Sequence, residues 1–149
     1  MAITQAMATS FKVEILTAYH NFGTTATRAT TAADTFKIAL YTSSATLSAS
    51  TTAYSATNEV SGTGYTAGGN TLTISQVPTS TSTTAWLDFA DTTWTTATIT
   101  ANGALIYNST QSNKAVAVLA FGGDKTSTAG DFTIIFPTAD STSAIIRIA

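Results

Sequence analysis

Apolar and polar residues alternate through much of this chain, with a period of two. Phe36, Ile38 and Leu40 alternate with Lys37, Ala39 and Tyr41, so residues 35–42 predict a strand that turns its first set to a core. The same reading predicts strands over 71–76, 84–90, 97–107, 114–121, 132–136 and 142–148. In the 84–90 strand, Ala85, Leu87 and Phe89 share one face and Trp86 and Asp88 the other. The run from Lys114 to Phe121 is nearly continuous in apolar residues, which marks a central strand. One window changes period: Phe11, Ile15, Tyr19 and Phe22 recur at helical spacing, and Leu16 widens their face. A helix over 9–22 follows, capped by Thr9 or Ser10 and ended by Gly23.

The intervals between these elements carry turn chemistry. Residues 24–34 have no periodicity and read as a connector or arm. Residues 43–61 form a long Ser/Thr/Ala loop held by Tyr54 and Val60, and ordered loops of this length usually serve a function. Gly62 to Gly69 supply glycines for tight reversals. Surface turns are expected at Pro78 with 79–84, at Asp91–Thr93 and at Asn108–Asn113, and Trp94 plugs the core edge. Gly122-Gly123-Asp124 and Ala129-Gly130-Asp131 bracket a further loop. Asn102-Gly103 lies inside a strand pattern and is either a bulge or a hairpin turn, with the bulge preferred. The sum is a mainly β protein: an antiparallel β-sandwich or jelly roll of seven to eight strands after one N-terminal helix. Residues 1–34 would be the helix and connector arm, and 35–149 the sandwich domain.

Composition narrows the function. Only 9% of the 149 residues are charged, with a net charge of −2, and Thr, Ser and Ala take the place of charge. No Lys/Arg run exists, so no nucleic-acid face is expected. A surface so poor in charge suits a protein covered by neighbours, other copies of itself included, as well as it suits a neutral monomer. There are no cysteines, which excludes disulfides, thiolate metal sites and a Cys nucleophile. The first seven residues lack a basic segment and a long apolar run, so no signal peptide is expected. No apolar stretch approaches the length needed to cross a bilayer.

Catalytic chemistry finds little footing. His20 is the one histidine, placed near the end of the expected helix, and no G-x-S-x-G elbow exists. Asp124 and Asp131 flank a glycine-containing loop, but their spacing is not that of an EF-hand, so turn and Asx roles are expected. Asp88 and Asp91 resemble an acid/base pair in spacing only. The Gly62–Gly69 segment leads into a strand with no following Lys, unlike a phosphate loop. Asn108-Ser109-Thr110 matches a glycosylation sequon without a secretory context. Tyr54, Tyr65, Trp86, Trp94 and Tyr107 could form a carbohydrate platform, but interleaved core and loop packing is the commoner use of such residues. No cofactor, metal, small-molecule ligand or enzymatic activity is expected.

Several runs carry a family resemblance. They are TFKIALYTSSATL, TTAYSATNEVSGTGYTAGGNTLT, AWLDFADTTW, ATITANGALIYNST and KAVAVLAFGGDKTSTAGDFTIIFP. Together the chain resembles, from MAITQAM to IIRIA, a family of short virion structural proteins of tailed bacteriophages. The family pattern has a basic residue where Asn102 stands and a shorter link than 24–34. The resemblance implies a particle component, made in the host bacterial cytoplasm and housed in the virion. Its first reading is a capsid decoration or cement protein that bridges and stabilises major capsid proteins. A tail or neck component (tube, collar or adaptor) is the alternative, and a glycan- or receptor-binding module the second. The implied partners are the major capsid protein, neighbouring virion proteins and further copies of the chain, without nucleic acid or membrane. The contact surfaces expected are 1–23, 24–34 and the 43–61 loop. The residues singled out are Phe11, Ile15, Tyr19, Phe22, Tyr54, Glu59 and Tyr65.

Overall fold

A computed structural model describes residues 2–16, 19–23 and 33–149, the side chains of 13 and 16 excepted. Most of the connector expected at 24–34 lies outside the described residues. In chain order the elements are β1 (Ala6–Met7), α1 (Thr9–Leu16), β2 (Phe36–Tyr41), β3 (Asn70–Thr71), β4 (Ile74–Thr81), β5 (Thr84–Phe89), β6 (Thr92–Asn108), β7 (Lys114–Ile134) and β8 (Ile146–Ile148). The fold is mainly β. One antiparallel sheet has the order β1-β7-β6-β2-β3, and a second has the order β4-β5-β8.

The helix is shorter than its apolar spacing predicts. The Ala8 carbonyl accepts the Lys12 N–H, so Ala8 holds the capping position expected of Thr9 or Ser10. α1 stops at Leu16, and the Tyr19 N–H reaches back to the Glu14 carbonyl at 2.9 Å in a wide turn. His20 and Phe22 then turn inward. Phe22 stacks on Phe36 with centroids 4.1 Å apart, and Phe36, Phe89 and Phe11 complete an aromatic cluster around it. Burying these rings outweighs one more helical turn, since each full burial contributes roughly 1.5–3 kcal/mol. Gly23 therefore ends no helix. Its N–H bonds Asn21 Oδ1 instead.

β2 forms where expected, but it is buried on both faces beyond Lys37, and the long loop covers Tyr41. The expected 71–76 strand is two strands. Asn70–Thr71 pairs with β2, Leu72 donates to the Phe36 carbonyl, and the chain then crosses to the second sheet at Ile74. Pro78 lies inside β4 rather than in a turn. β4 is an edge strand with a register shift between Gln76 and Thr79, so the missing N–H leaves no ladder bond unmade. The reversal shrinks to Ser82-Thr83, with Ser82 at φ 55°.

β6 and β7 dominate the molecule. They pair from Asn108↔Lys114 beside the 109–113 turn to Thr92↔Ile134 at the far end. Ala90 and Asp91 link β5 to β6, while Thr92 and Thr93 of the expected turn and the loop expected between Gly122 and Asp131 are taken up into this ladder. Bulges make that possible. β7 residues 121–124 stand against Asn102 alone, Gly122 and Gly123 take positive φ of 72° and 145°, and Asn102 Nδ2 donates to Asp124 at 2.7 Å. Asn102-Gly103 is thus no hairpin turn: it stays in β6, and the extra residues of the bulge lie opposite it on β7. The last two strands are shorter than expected. β7 ends at Ile134, and Asp140 gathers the Thr142 and Ser143 N–H groups into a turn that delays β8 to Ile146. Ala8, Phe11 and Phe22 share one core with Ile38, Leu105, Ile106, Val116 and Val118.

Candidate functional site

The 43–61 loop is built as a fixed surface. Its far end is stitched to β2: Val60 donates to the Leu40 carbonyl at 2.9 Å and Thr42 to the Asn58 carbonyl at 3.1 Å. Its middle is stitched to the β6–β7 turn, where Tyr54 donates to Asn113 and Ala115 to Thr52. Beneath it lies a knot of one carboxylate and three tyrosines. Glu59 accepts the Tyr54 hydroxyl at 2.7 Å on one oxygen; on the other it accepts the Tyr65 hydroxyl at 2.6 Å and the Gly68 N–H at 2.7 Å. The Tyr65 oxygen in turn accepts the Leu40 N–H. Tyr54 stacks on Tyr107 at 4.8 Å, and Tyr107 donates to the Gly68 carbonyl at 2.8 Å.

Burial and the nearby Glu59 carboxylate push these phenols up. Tyr107 rises to about 12, and Tyr54 and Tyr65 rise further, so all three stay protonated donors at neutral pH. Tyr41 is raised as well, first by burial, and donates to the Ser55 carbonyl at 2.6 Å. Glycines make the knot possible. Gly69 has φ 68°, and a Cβ there would stand 1.8 Å from the Ile38 carbonyl oxygen. On the outer side, loop residues from Ala45 to Asn58 enclose an open hollow of about 480 Å³ lined by Ser and Thr hydroxyls.

A second polar cluster fastens the N-terminal segment. Asn108 Oδ1 accepts the Thr110 and Gln111 N–H groups, which fixes the orientation of its amide. Its NH2 then donates to Asp34 at 2.7 Å and to His20 Nδ1 at 3.0 Å. His20 is therefore the tautomer that carries its proton on Nε2 and donates it to Glu14 at 2.7 Å. Lys114 Nζ bonds the other Glu14 oxygen at 2.7 Å and lies over the Tyr19 ring. Burial raises the Glu14 carboxyl, but the bonds to Lys114 and His20 outweigh it and hold the group below its usual range.

These arrangements bind and brace. His20 has its ring fully buried between Glu14 and Asn108, with no nucleophile among the partners described above. Asp88 is buried, accepts the Phe89 N–H with one oxygen, and has its carboxyl raised by that burial; Asp91 accepts the Phe136 N–H instead. Asp124 and Asp131 bond Asn102 and the Thr96 N–H. Among the described residues no group of three or more His, Asp or Glu side chains could hold a metal.

The residues singled out in the sequence divide. Tyr54, Glu59 and Tyr65 meet in the knot, half-buried beneath the loop. Phe11 and Phe22 are core side chains, at most 6% exposed. Ile15 is half-buried against the core and Tyr19 is exposed. Trp94 and Tyr107 are buried and Trp86 lies in the second sheet, so the five aromatics form no shared platform. Sequence reasoning missed Asp34, Asn108 and Lys114, whose partners lie 74 to 100 residues away. Compared with protein-family models, with curated proteins and with solved structures, the chain matches none.

Proposed function

We propose that the protein is a structural component of a tailed-bacteriophage particle, a decoration protein that binds the capsid and bridges neighbouring major capsid proteins. The two antiparallel sheets are read as the halves of a sandwich that carries the binding loop. One observation carries the proposal: a long loop preorganised by the Glu59 knot, with hydroxyls and backbone outward and its carboxylate and phenols engaged beneath. A surface fixed before contact loses little freedom on docking, which favours a scaffold that must bind in many copies. The resemblance to phage virion proteins and the surface poor in charge point the same way.

Cosedimentation of the purified protein with heads lacking it tests this. Saturable binding is expected, weakened at least about tenfold by Thr57→Arg on the exposed rim of the loop. Absence of binding, with rings or tubes formed by the protein alone, would move it to the tail or neck. Glycan binding without head binding would make it a receptor-binding module.

A further inference from the structure

Asp88 stands apart from the other carboxylates. It is 1% exposed, and its Oδ1 accepts the Phe89 N–H at 2.8 Å. Its Oδ2 is enclosed and has no hydrogen-bond partner. A buried carboxylate with an unbonded oxygen is costly as an anion and much less so as a neutral acid. No cation relieves it. Among the described residues the ion pairs are those of Glu14 with His20 and Lys114, and Arg147, exposed on the neighbouring β8, enters neither. Gln76, the register partner of Asp88 on β4, is uncharged. The charges that reach Asp88 are of its own sign: Asp91, three residues on, and Asp140, in the turn before β8. Burial first, and then these two carboxylates, raise the Asp88 carboxyl; the Phe89 and Ile145 N–H groups oppose them and do not prevail.

The place of Asp88 gives this charge a lever. β5 pairs with β8 through Leu87↔Ile146, which sets Ile145 beside Asp88. β8 is three residues long and is paired on one side only, so a small repulsion there matters. We propose that Asp88 is a proton-operated clasp for the C-terminal segment 138–148: uptake of a proton at Oδ2 fastens this segment to β5, and its release loosens the segment. A carboxyl raised in the folded state binds its proton more tightly there than in the unfolded chain. Its stabilisation is therefore complete below the ordinary 3.8 and is lost as pH rises through the folded value. Glu14 has the opposite sign and is complete above 4.5. Asp140, held low by its bonds to Thr142, is complete above 3.8. Above 4.5, then, neither of these two groups masks Asp88. This inference stands independently of any place on a capsid.

Thermal unfolding of the full chain and of Asp88→Asn, from about pH 4.5 to about pH 7.5, is the test, with amide exchange of 138–148 as the local readout. Asparagine keeps the acceptor for the Phe89 N–H and cannot ionise. Any titration of His20 is common to both proteins, so their difference reports Asp88. The melting temperature of the original, taken relative to the variant, should fall by about 2 °C or more as pH rises across this range. Exchange protection of 138–148, corrected for intrinsic exchange, should fall at least about threefold in the original and stay level in the variant. Asp91→Asn keeps an acceptor for the Phe136 N–H and should reduce both changes. A difference that does not vary with pH, or protection lost alike across the whole chain, overturns the proposal. So does a rise in melting temperature with added calcium at about pH 7.5 that Asp88→Asn abolishes, since the carboxylates would then hold a metal.

Discussion

Glu59 accepts bonds from two phenols and one backbone amide, so Glu59→Gln sets an amide donor against donors. The expected cost is about 1–3 kcal/mol, read as a lower urea midpoint with unchanged m-value. The phenols predict an alkaline limb. Their folded values lie above the ordinary 10.0, so their contribution is complete below pH 10 and falls as pH rises towards about 12 and beyond. Glu14 has the opposite sign. Its folded value is depressed, so its stabilisation is complete above its ordinary 4.5 and is lost as pH falls through the folded value. Glu14→Gln should remove that acid limb and lower stability at pH 7 by about 1–3 kcal/mol, measured by denaturant melts across pH. Tyr54, Glu59 and Tyr65 could be picked out in the sequence because they lie within one polar loop. Glu14 and Lys114 could not be paired, because they are 100 residues apart and only the fold brings them together.

At the scale of elements, the glycines divide by what surrounds them. A Cβ at Gly69 would collide with the β2 backbone, whereas one at Gly122, at φ 72°, meets open space. Gly69→Ala should cost at least about 3 kcal/mol or prevent folding, and Gly122→Ala about 1 kcal/mol, compared by thermal unfolding. Period-two alternation of apolar residues revealed β2 and β5, and a nearly continuous apolar run revealed the first half of β7. It overextended α1, since Phe22 satisfies helical spacing and core stacking alike and the stacking prevails. It broke β7 at its glycines, because a bulge within a long strand and a loop between two strands share the same residues. The crossing at Leu72-Thr73 carries no turn chemistry, so the division into two sheets left no mark on the pattern.

For the whole molecule, the mainly β character was legible from threonine-rich alternation, while the joining of the N-terminal segment to the sheets was not. Ala8, Phe11 and Phe22 are at most 6% exposed and lie in the same core as the strands. Deleting residues 2–23 should therefore unfold the protein rather than release a stable β domain. The check is loss of the cooperative thermal transition, and of near-ultraviolet dichroism from the buried aromatic rings. Point changes on the loop rim are for this reason the proper probes of binding.

The Asn102-Gly103 step, opposite the β7 bulge, also bears on chemical ageing. An Asn-Gly step is the one most prone to deamidation, because the glycine nitrogen is free to attack the side-chain amide and close a succinimide ring. Here Gly103 is buried between Tyr41 and Ala120, and the Asn102 amide is held by Asp124. Ring closure must wait until the strands part. The slow appearance of isoaspartate at residue 102 would then act as a clock for the rare opening of the β6–β7 hairpin.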